Sequence, residues 1–137
     1  MPVSNVSVTA AHLAQRAGAT YVDVRSSLEF AAGHPAGAIN VPLLEADEDT
    51  GQLMPNPDFV RVVKATFAPD AALLLGCESG TRSARAAQIL EAFGFGNLVN
   101  VVAGFQGWAP SGLPTETAPP AGRAYEDLVA AADASDT

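Results

Sequence analysis

The chain has 137 residues, with 7 Lys+Arg against 15 Asp+Glu (formal net charge −8), two histidines and one cysteine, Cys77. That length allows one domain, taken as 1–137, and the acidity argues against nucleic acid, whose phosphates are bound by Lys and Arg. A lone cysteine excludes an internal disulfide, and His12 and His34 are too far apart to make a zinc site. No apolar run reaches the roughly 18 residues that span a membrane, and the first residues, Met-Pro-Val-Ser-Asn, lack the basic and apolar stretches of a signal peptide. The expectation is a cytoplasmic domain with no metal, no cofactor and no membrane or nucleic-acid partner.

Thr9 is placed to cap an early helix carrying Leu13. Residues 21–24, Tyr-Val-Asp-Val, form a β-branched run. Ser26 and Glu29 then have capping-box spacing ahead of a short helix that ends near Gly33. Residues 38–41 make a weaker strand. Glu45, Asp47, Glu48 and Asp49 form an acidic cluster that reads as a solvated loop. Asn56-Pro57-Asp58 starts a helix with Phe59, Val62, Val63 and Phe67 on one face. Residues 71–75 are a continuous apolar run, and residues 83–93 form an Ala-rich helix with Ala86, Ala87, Leu90 and Phe93 at helical spacing, stopped by Gly94. Residues 98–102 supply another strand. A loop at 110–120 with four prolines straps on a last helix at 125–132, where Glu126, Asp127, Asp133 and Asp136 form a solvated acidic tail. Short apolar strands alternating with helices predict an α/β fold around a parallel sheet.

Cys77 stands between the end of the apolar run and the Ala-rich helix, at the strand edge where open α/β sheets bind ligands. The loop Glu78, Ser79, Gly80, Thr81, Arg82, Ser83 contains no proline, so each residue offers an N–H, and Gly80 permits a positive φ. Successive N–H groups make an anion nest, strengthened by the helix dipole and by Arg82, which eases ionisation of the thiol. Four residues separate Cys77 from Arg82, where cysteine-dependent phosphatases have five. The smaller ring suits one terminal sulfur on Cys77 better than a phosphoryl group.

Three blocks of residues resemble the rhodanese homology domain, covering roughly residues 5–117, with the C-terminal loop and helix at 118–137 outside it. The first is Asp23-Val24-Arg25, Glu29-Phe30, Gly33-His34 and Gly37-Ala38-Ile39-Asn40. The second is the loop from Cys77 to Ser83, and the third is Ala103-Gly104-Phe105, Trp108 and Gly112-Leu113-Pro114. The resemblance implies a rhodanese-like three-layer fold, a five-stranded parallel sheet with helices on both faces. It also implies sulfane-sulfur transfer through a persulfide on Cys77, from a donor such as thiosulfate to a thiol or cyanide. A phosphatase or arsenate reductase is disfavoured by loop length. A carrier module exchanging sulfur with a protein donor or acceptor shares the motif. Pro35-Ala36 and Ala103 depart from the family pattern tolerably, whereas Glu78 puts a carboxylate beside the nucleophile.

Within that reading Cys77 is the nucleophile and sulfur carrier, and the N–H groups of residues 78–83 stabilise its thiolate and persulfide. Arg82 either holds the loop or attracts an anionic donor. Ser79 and Thr81 are placed to offer hydroxyls to the anion. Asp23, Arg25 and Glu29 read as an ion-pair set below the site. Phe30, Phe105 and Trp108 either wall the pocket or pack the core, His34 is a turn residue, and Arg85 belongs to a solvated helix face.

Overall fold

The computed structural model describes residues 3–135. Its elements in chain order are β1 (Ser4–Val6), α1 (Val8–Arg16), β2 (Thr20–Asp23), α2 (Ser27–Ala32), β3 (His34–Pro35), β4 (Ile39–Asn40), β5 (Leu44–Ala46) and β6 (Leu53–Pro55). There follow α3 (Phe59–Thr66), β7 (Leu73–Gly76), α4 (Thr81–Ala92), β8 (Leu98–Val101), α5 (Gly104–Trp108), β9 (Thr115–Glu116) and α6 (Tyr125–Ser135).

Five strands form one parallel sheet in the order β1-β8-β7-β2-β4. The central strand β7 is buried on both faces, which is why it reads as an unbroken apolar run. Leu73 and Leu75 point to one core with Phe59, Val62 and Val63 of α3, Ala86, Ala87 and Leu90 of α4, and Leu128 and Ala132 of α6. Leu74 points to the other, with Val8 and Ala11 of α1, Tyr21, Phe30 and Trp108. The result is a three-layer α/β fold with the expected five-stranded sheet. In register, Asp23 lies beside Gly76, which brings the ends of β2 and β7 together.

Several elements differ from expectation. The edge strand β1 was not anticipated, because Ser4 and Asn5 are exposed and give no apolar alternation. The cap of α1 is Ser7, whose Oγ accepts from Ala10 N at 3.1 Å, rather than Thr9. Leu13 lies on its solvent side. Helix α4 starts at Thr81, two residues early, and Phe93 follows its end, exposed, with Lys64 Nζ 5.8 Å from its ring centroid. The acidic cluster at 45–49 spans a β5–β6 hairpin in which Asp47 Oδ1 accepts from Asp49 N. Its Glu45 is not merely solvated, because its carboxylate accepts from Ser27 N at 2.8 Å. In the tail, Asp133 pairs with Arg61 at 2.8 Å, and Asn56 Nδ2 donates to Tyr125 Oη, so α6 is tied to the start of α3. Asp136 lies outside the described residues.

Candidate active site

Strand β7 ends at Gly76, and the chain then turns through residues 77–80 into α4. Cys77 is buried at this turn, 1% exposed. Gly80 closes the loop with φ +92°, and a Cβ there would overlap the Val102 carbonyl oxygen, so only glycine fits. From beneath, Phe105 N donates to the Cys77 carbonyl at 2.8 Å and Gln106 N to the Glu78 carbonyl at 2.9 Å. A Cβ at Gly104 would overlap the same Cys77 carbonyl, so the start of α5 packs directly against the loop.

With the carbonyls held on one side, the N–H groups face the sulfur. Gly80 N donates to Cys77 Sγ at 3.1 Å and Ser83 N at 3.4 Å, and Ser83 Oγ also lies 3.4 Å away. Burial pushes the thiol pKa up, but hydrogen bonds from the Ser83 side chain and from the N–H groups of Ser83, Ser79 and Gly80 more than offset it. The net direction is below the ordinary thiol value, so the sulfur is predisposed to act as a thiolate.

The Ser83 hydroxyl has a second acceptor. Its Oγ lies 2.6 Å from Asn100 Oδ1, and Asn100 Nδ2 donates to Asn5 Oδ1 at 3.1 Å and toward the Gly80 carbonyl at 3.5 Å. One hydroxyl proton thus faces two acceptors, the amide oxygen at short range and the sulfur at long range. Asn100 was not among the expected site residues. Its signal in the sequence is a single amide inside the apolar run at 98–102.

The arginines are committed elsewhere than expected. Arg82 makes a two-point pair with Glu29, Nη1 to Oε1 at 2.7 Å and Nη2 to Oε2 at 2.9 Å. Glu29 also closes the capping box by accepting from Ser26 N. The Arg82 hydrogen bond, chief among these partners, lowers the Glu29 pKa to about 2 against the counteracting effect of burial. Arg82 therefore fastens the first turn of α4 to α2, and Glu29 belongs to it rather than to a set with Asp23 and Arg25. Asp23 and Arg25 form their own buried pair at 2.8 Å, and Arg25 Nη2 donates to the Gly33 carbonyl at 2.6 Å. The guanidinium lies 4.5 Å from the Phe105 ring centroid and 3.4 Å from the half-exposed Glu78 carboxylate. Arg25 thus links the base of the site to Glu78.

Of the three aromatic residues, Phe105 is at the site. Phe30 stacks on His34 with ring centroids 3.5 Å apart in the core behind the sheet, and His34 Nδ1 donates to the Phe30 carbonyl. Trp108 is fully buried there, donating Nε1–H to the Pro114 carbonyl at 2.7 Å and meeting Tyr21 edge-on. Phe30 and Trp108 thus pack the core on that side of the sheet, and Phe105 packs against its margin. Ser79 and Thr81 are exposed on the outer side of the loop, and Ser83 is buried inside it.

The sequence and the fold that carry this buried sulfur have known counterparts. Residues 8–111 match the family described as the rhodanese-like domain. The chain is 42% identical over 113 residues to thiosulfate sulfurtransferase 16, chloroplastic, of Arabidopsis thaliana, covering 82% of this chain and 92% of that protein. It is 32% identical over 106 residues to thiosulfate sulfurtransferase GlpE of Actinobacillus pleuropneumoniae serotype 5b, covering 77% and 85%. Among solved structures, Rv0390 from M. tuberculosis superposes with a TM-score of 0.71 at 22% identity, covering 86% of this chain and all of that one, a likeness of fold. The chain belongs to the rhodanese-like domain family.

Proposed function

We propose that this protein is a sulfurtransferase that carries sulfane sulfur as a persulfide on Cys77. The observation that carries the reading is the donor ring on Sγ, made by Gly80 N and by the N and Oγ of Ser83. The names of the relatives, thiosulfate sulfurtransferases, support the substrate class. The Cys77 thiolate attacks the outer sulfur of thiosulfate, the sulfur–sulfur bond of the donor breaks, and sulfite leaves with the electron pair. The persulfide so formed keeps one negative charge, which the same N–H groups stabilise. A thiol or cyanide then attacks the outer sulfur, and Cys77 departs as the thiolate. A cytoplasmic location is part of the same proposal.

A second reading, a carrier loaded by a protein donor, is favoured by one observation. Glu78 lies beside the nucleophile, while Arg82 is neutralised by Glu29, so a small dianion gains little attraction at the loop. Intact mass after incubation with thiosulfate tests the chemistry. The expected result is a gain of one sulfur atom, removed by reductant and absent in Cys77→Ser. Rapid Cys77-dependent thiocyanate formation supports the enzyme, and a loadable Cys77 with negligible turnover supports the carrier. No adduct with any sulfane donor defeats both readings, and Cys77-dependent hydrolysis of an aryl phosphate would replace them.

A further inference from the structure

Asn5 lies on β1, at the edge of the sheet and far in sequence from the cysteine loop. In the parallel register of β1 and β8 it stands beside Asn100, so both side chains leave the sheet on the same face. Two contacts then lead inward. Asn100 Nδ2 donates to Asn5 Oδ1 at 3.1 Å, and Ser83 Oγ lies 2.6 Å from Asn100 Oδ1 and 3.4 Å from Cys77 Sγ. An exposed residue of an edge strand is thereby joined to the buried sulfur through two buried side chains.

The two ends of the Asn100 amide are chemically opposite, so its orientation decides where the Ser83 proton points. With Oδ1 toward Ser83, the hydroxyl donates to the amide and offers the sulfur little. In the turned amide, Nδ2 would donate to Ser83 Oγ, and the hydroxyl proton would be left to the sulfur. Two acceptors hold Nδ2 away from Ser83, the Asn5 amide oxygen at 3.1 Å and the Gly80 carbonyl at 3.5 Å. The second is long for a hydrogen bond, and Asn5 supplies the stronger hold. Because a carbonyl only accepts, Gly80 fixes Nδ2 on that side and leaves Asn5 to present its oxygen.

We propose that Asn5 is a positioning residue for Cys77: by holding Asn100 Nδ2 it keeps Asn100 Oδ1 on Ser83, draws the hydroxyl away from the sulfur and restrains the sulfur's reactivity. The inference rests on the geometry around the sulfur and does not require the persulfide reading. Asn5 is also replaceable without disturbing the core. It is exposed, borders a cavity of about 410 Å³ with Gln88, Glu91 and Asn100, and sits on a strand paired through its backbone.

The test is the thiolate population of the full-length protein, followed by thiolate absorbance against pH and by the rate of iodoacetamide alkylation. Asn5→Ala should raise the thiolate population about threefold below the thiol pKa, the Gly80 carbonyl still holding Nδ2 weakly. Asn5→Asp, whose carboxylate only accepts, should keep the amide in place. It should stay within about twofold of the unsubstituted protein once about 0.5 M salt screens the added charge. In a Ser83→Ala background, Asn5→Ala should change nothing, since the hydroxyl that relays its effect is gone. The titratable groups around the sulfur and the relay are Glu78 in the loop, Tyr21, Asp23 and Arg25 at β2, Glu29 of α2, and Arg82 and Glu91 of α4. All of them are the same in every variant. No rise in Asn5→Ala, or an equal rise in the Ser83→Ala background, would overturn the inference. So would an equal rise in Asn5→Asp, because the sulfur would then be responding to a loosened β1 rather than to the amide.

Discussion

The shared proton of Ser83 supports a prediction in which two neighbouring substitutions act in opposite directions. Ser83→Ala removes a donor 3.4 Å from Cys77 Sγ, and Asn100→Ala removes the competing acceptor 2.6 Å from Ser83 Oγ. A hydrogen bond to a charged group contributes about 1.5–3 kcal/mol. The long sulfur contact and the pull of the amide reduce this to about 1 kcal/mol for Ser83, or about fivefold in the thiolate population below the thiol pKa. Losing Asn100 frees the hydroxyl to turn wholly to the sulfur, and the thiolate population should rise by about the same factor. The Ser83→Ala/Asn100→Ala pair should behave nearly as Ser83→Ala alone, because Asn100 is a positioning residue that reaches the sulfur chiefly through that hydroxyl, its bond to the Gly80 carbonyl being long. Thiolate absorbance and iodoacetamide alkylation rate, each followed against pH, read the quantity directly. Urea unfolding is measured in parallel, since Asn100→Ala also strips partners from Asn5 and the Gly80 carbonyl. If Asn100→Ala lowers the thiolate population as Ser83→Ala does, Asn100 orients the hydroxyl toward sulfur, and the two acceptors do not compete for its proton.

Three further outcomes follow from the loop and its supports. Glu29, with its pKa lowered to about 2, contributes stability that is complete above its ordinary value near 4.5 and lost as pH falls toward 2. After discounting for partial exposure, Glu29→Gln should cost about 1–2 kcal/mol at pH 7 and less at pH 3, and an equal cost by urea unfolding at both would refute the pairing. Gly80→Ala forces a Cβ into the Val102 carbonyl and moves the donor closest to Sγ, so alkylation of Cys77 at neutral pH should slow by about tenfold or more. Unchanged alkylation would mean that the loop tolerates the strain. Glu78→Gln removes a half-exposed carboxylate next to the nucleophile and should speed loading by thiosulfate about two- to fivefold at low salt. The difference should shrink as salt is added, and a salt-independent difference would point to shape rather than charge.

What was legible in the sequence depended on how local its cause is. The Ser26–Glu29 capping box was readable because both partners lie within four residues, and β7 because burial on both faces leaves an unbroken apolar run. Glu29 pairing with Arg82 joins groups 53 positions apart, which no spacing rule reaches. Leu13 and Phe93 match helical periodicity but face solvent, since periodicity names a face without showing where the neighbouring layer stops. The cap at Ser7 rather than Thr9 is set by β1 ending at Val6, and β1 pairs with β8 alone, as an edge strand with polar residues that leave no pattern. Trp108 and Phe30 adjoin family motifs in sequence yet lie behind the sheet, because which side of the sheet a segment covers is a tertiary property.

The electrostatics of the loop also depend on those long-range pairs. The two arginines that brace the loop are both paired, Arg82 with Glu29 and Arg25 with Asp23, so neither guanidinium is free to attract a dianion to Cys77. What remains at Cys77 is a set of short-range dipoles, the N–H groups and one hydroxyl, held in place by the carbonyl contacts to α5 on the opposite side of the loop. Dipoles at hydrogen-bond distance stabilise a single charge on one atom and weaken quickly beyond it. Such a site discriminates by the size and position of the charge rather than by its total. A thiolate and a one-sulfur persulfide each place a single charge within reach of the ring, whereas a phosphoryl dianion spreads its charge over oxygens in a loop one residue too short to surround them. Under the proposed persulfide chemistry, the pairing of Arg82 with Glu29 contributes to specificity as well as to support, because it withdraws a cation that would otherwise favour a dianion.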